Sequence, residues 1–480
     1  MTVLAYCGAL SEPRRGGGRL KVNDMRIDET SRQKLGEILG DRLTTNTAIV
    51  EQHARGEGHL PACPPDAVCF PTSALEVSAI LKVCNQARIP VVPWGAGTSL
   101  EGNVCALSGG LCVDMSRMNA IHAVNAEDLD ATVGPGVTRK QLNSYLRDTG
   151  LFFPVDPGAD ATIGGMAATR ASGTNAVRYG NMKSNVLALE VVLPNGEIIR
   201  TGSRARKSAA GYDLTSLFVG SEGTLGLITE VTVKLYGLPE VISSAVSHFP
   251  NVDSAVSLVT EAVQQGIPVA RVEFLDELTI LAVNRYSKLD LPVAPTLFFE
   301  FHGSPAAVDE QIRQVAALVE GHSGSPLKSS ADLEQRNKLW HARHEAHYAM
   351  LATRPNARVY GTDACVPISR LAECIKSTGE DLKGTPFYVS IIGHVGDGNF
   401  HLGMVIDPDD AAEFALAEEI HDRLIERTLA LGGTCSGEHG IGYGKTKYMR
   451  WEHKNAIEAM AAVKNAFDPA GIMNPGKVLP

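Results

Sequence analysis

At 480 residues, 44% hydrophobic and 20% charged, the chain is long enough for two large domains or about three of ordinary size, and is neither a low-complexity disordered segment nor a membrane array. Its 44 Lys and Arg against 54 Asp and Glu give a net charge of −10 with no basic stripe, which excludes the phosphate-backbone electrostatics of a nucleic-acid binder. No apolar run approaches the roughly 18 to 20 residues of a spanning helix, and the N-terminal apolar stretch precedes its Pro13-Arg14-Arg15 cluster, the reverse of a secretory signal.

Residues 1–44 carry no feature that assigns them a role. Ala74 to Ala87 sets Val77, Ile80, Leu81 and Cys84 at helical spacing, and Ile89 to Pro93 reads as a strand running into Gly95-Ala96-Gly97-Thr98-Ser99. Leu187 to Leu193, Pro194-Asn195-Gly196 and Glu197 to Thr201 read as a β-hairpin. Leu238-Pro239 marks a boundary, so 45–240 form one domain. From 241 to about 430, strands at Leu297 to Phe301, Phe387 to Gly393 and Phe400 to Ile406 alternate with long helices, an α+β pattern. Residues 431–480 bring a Gly-rich loop over 432–444, a helix with Ile457, Met460, Val463 and Phe467 on one face, and a Pro-rich tail. Nine scattered cysteines without a CxxC pair fit free thiols in a reducing, cytoplasmic compartment.

Glycine is enriched, 47 of 480 or about 10% against a usual ~7%. Much of it clusters at 95–102, 158–180, 220–226, 393–403 and 432–444, which points to a large ligand held by main chain. Pro93 to Ser99 gathers free backbone N–H groups and two hydroxyls, the chemistry of a pyrophosphate cradle, although a turn used only for packing explains it equally well. It lacks the Gly-Lys-Ser/Thr of a Walker loop and does not fit GxGxxG, so a nicotinamide-binding Rossmann domain is not supported.

Three further stretches extend this pattern: Pro157-Gly158-Ala159-Asp160-Ala161-Thr162-Ile163-Gly164-Gly165, then Ser172-Gly173-Thr174-Asn175 through Tyr179-Gly180, then Gly220-Ser221-Glu222-Gly223-Thr224-Leu225-Gly226 through Ile228 and Glu230. With Pro93 to Gly102 and Met473-Asn474-Pro475-Gly476-Lys477, they resemble the FAD-binding domain of the vanillyl-alcohol oxidase and p-cresol methylhydroxylase flavoprotein superfamily. The resemblance implies an α+β fold: a two-lobed FAD domain over 45–240, a cap domain with an antiparallel sheet over 241–430, and a C-terminal segment completing both sites. It places FAD on Pro93, Gly95, Ala96, Gly97, Thr98, Ser99 and Gly102; on Pro157, Gly158, Thr162, Gly164, Gly165, Thr169, Ser172, Gly173, Tyr179 and Gly180; on Glu222, Gly223, Gly226 and Ile228; and on Asn474. Relatives with covalent flavin often carry a histidine in the first loop. Thr98 and Ser99 stand there, so noncovalent FAD is expected.

In the second half, His394-Val-Gly-Asp-Gly-Asn-Phe-His401 and Cys435-Ser-Gly-Glu438-His439-Gly-Ile-Gly, with Trp340-His-Ala-Arg343 and Thr362-Asp-Ala-Cys-Val-Pro367 upstream, are similar to FAD-linked D-lactate dehydrogenases and the related glycolate oxidase and D-2-hydroxyglutarate dehydrogenase chains. His394 closes one expected strand and His401 opens the next, so a returning loop brings both imidazoles to one rim, where Glu438 adds a carboxylate. Two His and one carboxylate leave coordination positions open, as a catalytic zinc or manganese requires, whereas the bland alternative is two unrelated loop histidines. His439, adjacent to Glu438 in an expected extended stretch, points to the opposite side as a general base. The resemblance makes Arg343, on an expected helix from Leu339 to Met350, the clamp for a substrate carboxylate. His341 and His347 on that helix lie on different faces, so they form no metal triplet with His344.

The expected reaction is oxidation of a D-2-hydroxy acid, D-lactate first, by hydride transfer to flavin. The resemblance implies a lysine just before the Asp-x-x-x-Pro element in relatives that act on D-2-hydroxyglutarate, and Tyr360-Gly361-Thr362 precede Asp363 here, which favours D-lactate; a D-2-hydroxyglutarate dehydrogenase, with its basic anchor elsewhere, and a glycolate oxidase subunit stay open. A metal-dependent hydrolase is the reading from a different class, and it leaves the Gly motifs without a purpose. The electron acceptor stays open among a cytochrome, a quinone and an electron-transfer flavoprotein, through which the chain would sit peripherally at a membrane. A homodimer stays open as its assembly.

Overall fold

The computed structural model describes residues 27–480, so Cys7 and the Pro13-Arg14-Arg15 cluster lie outside the described residues. The sequence up to Gly237 builds two main sheets. Leu43–Thr44, Ala67–Cys69, Leu111–Asp114 and Val91–Trp94 form the first in that order, its last three strands parallel. Their near-continuous apolar sequences match burial on both faces. Helix Ala74–Ala87, capped by the Ser73 side chain, turns the expected Val77, Ile80, Leu81 and Cys84 into this core. The second sheet is antiparallel, in the order Ile121–Asn125, Asp130–Val133, Leu227–Lys234, Val186–Val192, Ile198–Arg200, and contains the hairpin read from Pro194-Asn195-Gly196.

From Val241 onward an antiparallel sheet of eight strands dominates. It runs Lys328–Ser330, Val241–His248, Thr296–Gly303, Arg271–Leu275, Tyr388–Gly393, Asn399–Ile406, Arg358–Gly361, with Ala364–Cys365 also paired to Asn399–Ile406. Period-two alternation divides its faces. Val272, Phe274, Phe299, Phe301, Phe400 and Leu402 face an apolar layer made by helices Val252–Gln264, Pro305–Gly321, Leu371–Asp381 and Ala411–Ala430. The alternate positions put Glu273, Glu300, His302 and His401 on the other face, buried yet polar. That face carries the site.

The single helix expected from Leu339 to Met350 is two, Leu333–His344 and Ala346–Leu351, with a bend at Glu345. The bend lets Trp340 and Ala342 on one segment and Ala346 and Ala349 on the other pack into one cluster with Leu275 and Phe298. At the C-terminus, helix Ala456–Phe467 lays Val463 and Phe467 on the core of the second sheet, Phe467 meeting Phe218 edge-on at 5.5 Å. The tail then returns to the first sheet, where Met473 bridges Val91 and the Asn474 N–H donates to the Val91 carbonyl at 2.8 Å.

Gly223 has φ 70°, and a Cβ there would run into the Pro93 ring. Gly223→Ala is expected to cost about 1 to 3 kcal/mol through backbone strain, read as a lower denaturation midpoint. An unchanged midpoint would show that the two loops do not meet this closely.

Candidate active site

Strand Tyr388–Gly393 ends at His394, the turn Val395–Asp397 reverses the chain, and strand Asn399–Ile406 carries His401 opposite Ile392. The two imidazoles thus share one rim. His394 Nδ1 bonds Glu273 Oε1 at 2.7 Å, and His401 Nδ1 bonds the Thr362 carbonyl at 3.0 Å. Both Nδ1 atoms therefore carry the N–H, and both Nε2 atoms turn to one oxygen, Glu438 Oε1, at 3.2 and 3.3 Å. Ligand atoms of His394, His401 and Glu438 all lie within 4.8 Å of one another, a donor set that fits an open divalent-metal site. Burial disfavours charge here, yet Glu273 and Glu438 hold the His394 pKa well above its ordinary value, and His394 with His401 holds Glu438 well below.

Residues 436–445 form an irregular loop whose N–H groups need partners. Three acidic residues supply them. Glu438 and His439 donate to Asp363 Oδ2 at 2.9 and 3.0 Å, Ile441 and Gly442 to the Glu222 carboxylate at 2.6 and 2.8 Å, and Tyr443 and Gly444 to the Glu101 carbonyl at 3.0 and 3.1 Å. The expectation that Glu438 and His439 point to opposite sides of an extended stretch is therefore corrected. Two successive N–H groups aimed at one oxygen curl the backbone, and both side chains arrive at His401. The His439 ring lies parallel to His401, centroids 5.2 Å apart and planes 10° apart.

His439 Nδ1 bonds Glu101 Oε1 at 3.2 Å, and fully buried Lys445 places Nζ 3.2 Å from the same oxygen and 3.7 Å from Asp363 Oδ2. Burial opposes a charge on His439; Asp363 and Glu101 outweigh it and raise its pKa. Around the three histidines stand four carboxylates, Glu101, Glu273, Asp363 and Glu438, and two fixed cations, Arg343 and Lys445. The acids thus outnumber the fixed cations, and the histidines stand among them.

Arg343 reaches this network through Glu273: Nε donates to Glu273 Oε2 at 2.8 Å, and Nη2 lies 2.8 Å from the same oxygen. One edge of the guanidinium is thereby fixed, and its outer fork is left for another acceptor. A cavity of about 280 Å³ opens beside His394 between the cap and the first half, lined by Asp397, Asn399 and Gly437 on one side and Ser172, Ala176 and Gly180 on the other. His341, His344 and His347 form no metal grouping; among the described residues the grouping found is His394, His401 and Glu438.

The other motif residues divide by what surrounds them. Gly95 faces Thr162, whose hydroxyl caps helix Ile163–Thr169 by accepting from the Gly165 N–H at 3.3 Å. Gly158 borders open space, and the buried Ser99 and Ser221 hydroxyls have no protein partner, as a cradle for a polar cofactor requires. Gly164 packs on Pro135, Gly226 on Val191, and Ile228 lies in the second core. Thr169 bonds the Gly165 carbonyl at 3.1 Å, and the Tyr179 hydroxyl meets His302 Nδ1 of the cap sheet at 2.7 Å. Every polar group of Glu222 has a protein partner: its N–H donates to Ala168, its carbonyl accepts from Asn474, and its carboxylate holds Asn103, Ile441 and Gly442. It works as a joint between the halves.

Sequence reasoning missed Glu101, Glu273, Asp363 and Lys445. One signal was available, because Glu273 alternates with Val272 and Phe274 in an otherwise apolar strand. Glu222→Gln would turn a donor towards the loop N–H groups. A loss of about 1 to 3 kcal/mol and faster proteolysis within 436–445 are expected; an unaltered cleavage pattern would contradict the joint.

Comparison with known proteins shows the family of the chain. Residues 65–202 match the FAD binding domain family, and residues 238–478 match the family of FAD linked oxidases, C-terminal domain. A probable mitochondrial D-lactate dehydrogenase of Danio rerio is 52% identical over 447 residues, covering 92% of this chain and 90% of that one. The mitochondrial D-lactate dehydrogenase [cytochrome] of Arabidopsis thaliana is 45% identical over 450 residues, 93% of this chain and 79% of that one. The structure of p-cresol methylhydroxylase with substrate bound shares the fold at TM-score 0.77 and 18% identity, covering 93% of this chain and 96% of that one. The α+β architecture is thus of the vanillyl-alcohol oxidase and p-cresol methylhydroxylase type. The chain belongs to the FAD-linked oxidases and is an FAD-dependent oxidoreductase similar to D-lactate dehydrogenases.

Proposed function

We propose that the protein oxidises D-lactate to pyruvate with noncovalent FAD and a divalent metal, zinc or manganese. The observation that carries this reading is His439, stacked on His401 of the metal-type cluster and held by Glu101 through Nδ1. FAD, when bound along the motifs at 93–102, 157–180, 220–228 and Asn474, supplies the hydride acceptor. A metal on His394 Nε2, His401 Nε2 and Glu438 Oε1 would supply Lewis acidity at the substrate hydroxyl.

The remaining work falls to side chains. Arg343, its side edge fixed by Glu273, offers its outer fork to the substrate carboxylate. His439 takes the hydroxyl proton on Nε2, because Nδ1 is committed to Glu101. Glu101 and Asp363 then stabilise the imidazolium. Lys445 stays committed to both acids and is unavailable to substrate.

D-lactate as substrate has the support of the names of the Danio and Arabidopsis relatives. A cytochrome as electron acceptor has the support of the Arabidopsis relative's name. Both relatives are mitochondrial by name, a compartment that free thiols fit as well as the cytoplasm.

Turnover of D- and L-lactate, glycolate and D-2-hydroxyglutarate with an artificial dye should rank D-lactate first by kcat/KM. A preference for L-lactate, or for the dicarboxylate, would overturn the assignment. His439→Asn should slow D-lactate oxidation by about 10² to 10⁴ fold with a smaller change in KM. Glu273→Gln should weaken metal retention by about 10 to 100 fold in dialysis followed by elemental analysis, because it disturbs the His394 tautomer. A wild-type protein that holds no transition metal and ignores chelators would remove the metal from the mechanism.

A further inference from the structure

Away from the active site, two thiols meet behind the first flavin motif. Cys63, half-buried, lies in the segment before the first parallel strand, and buried Cys105 follows Asn103 just beyond Gly102. Both sulfurs aim at one atom: Cys63 Sγ is 3.8 Å and Cys105 Sγ 3.9 Å from the Pro61 carbonyl oxygen. The Ala106 N–H donates to the Cys63 carbonyl at 3.0 Å, which brings the two backbones together side by side. Two thiols directed at one carbonyl oxygen from neighbouring backbone segments are placed to approach each other.

A third group completes the cluster. Lys477, buried in the C-terminal run after Asn474, donates Nζ to the Cys105 carbonyl at 2.7 Å and lies 3.2 Å from Asn474 Oδ1. The neighbouring Cys105 thiol, and secondarily the Lys477 charge, bring the Cys63 pKa below its ordinary value against the effect of burial. Burial instead pushes Cys84 and Cys365 up to about 12 and holds Cys69, Cys112 and Cys435 high as well. Among the described residues Cys63 therefore combines access, thiolate character and an adjacent second thiol, the three attributes of an oxidisable dithiol.

We propose that Cys63 and Cys105 are a peroxide-reactive dithiol, in which Cys63 is attacked first and Cys105 resolves it to a reversible disulfide. The Cys63 thiolate attacks hydrogen peroxide, its S–O bond forming as the O–O bond breaks and hydroxide leaves. The Cys105 sulfur then attacks the sulfenic sulfur, the S–O bond breaks, and water leaves with the Cys105 proton. Two thiols lose two electrons and one peroxide becomes two waters. The bond ties the 53–65 segment to the turn that carries Asn103, which with Glu222 and Asn474 binds the first loop to the C-terminal tail. None of this rests on the identity of the hydroxy-acid substrate.

The test uses the reduced, flavin-loaded protein, freed of reductant and exposed to one equivalent of hydrogen peroxide before alkylation and peptide mass analysis. Titratable thiols should fall from nine to seven, with a single Cys63–Cys105 cross-link that a dithiol reductant reverses. In Cys105→Ser, a Cys63 sulfenic acid should accumulate and be trapped by dimedone at least tenfold more than in the wild type. Cys63→Ser should lose the rapid peroxide reaction. Circular dichroism and flavin absorbance confirm that each variant is folded. Oxidation falling first on Cys365, or a sulfenic acid persisting at Cys63 with Cys105 intact, would overturn the proposal.

Discussion

The geometry of the active site depends on how the loop 436–445 satisfies its buried N–H groups. Six of them are taken in pairs by Asp363 from the cap, by Glu222 from the third flavin motif and by Glu101 from the first. An unpaired buried amide costs on the order of 1 to 3 kcal/mol, so the loop takes this shape only when both halves of the chain are docked. Glu438 and His439 are therefore placed by acids 75 to 338 residues away in sequence rather than by local propensity. The flavin motifs and the metal-type cluster meet because the same loop is stapled to both.

The electrostatics follow from that stapling. Gathering four carboxylates and three histidines in a buried volume is unfavourable unless compensating positive charge is present. Lys445 and Arg343 supply part of it, each bound to acids that also orient a histidine. Nε2 of His394, Nε2 of His401 and Oε1 of Glu438 converge within this arrangement, so the proposed metal and the proposed base His439 would share one set of charges. Glu273 links the two tasks most directly, with one oxygen on the proposed metal ligand His394 and the other on the proposed substrate anchor Arg343.

Local patterns in the sequence carried much of the fold. Helix Ala74–Ala87, the hairpin around Asn195-Gly196, and the strands that flank His394 and His401 lie where period and turn chemistry put them, because each is decided by neighbours within a few residues. The break at Glu345 was not legible, since it answers to packing of Ala346 and Ala349 beside Leu275 and Phe298 rather than to the helix's own residues. The spacing of His394 and His401 was enough to bring them to one rim, and Glu438 completes the grouping. Apart from Glu273, their supports were out of reach: nothing near Glu101 in sequence announces His439, and nothing near Asp363 announces the amides of 438 and 439. Glycine enrichment was real, yet Gly164, Gly223 and Gly226 answer to close packing of Pro135, Pro93 and Val191 against them.

The central claim is that electrons leave a D-2-hydroxy acid for the bound flavin at this site. An anaerobic titration of the holoenzyme, followed by flavin absorbance with no external acceptor, addresses it without any assumption about the downstream partner. The account predicts bleaching that is complete near one equivalent of D-lactate, with pyruvate formed in equal amount, and no bleaching by L-lactate over the same interval. Flavin that stays oxidised with excess D-lactate in a metal-replete protein, or that bleaches equally with both enantiomers, would contradict it.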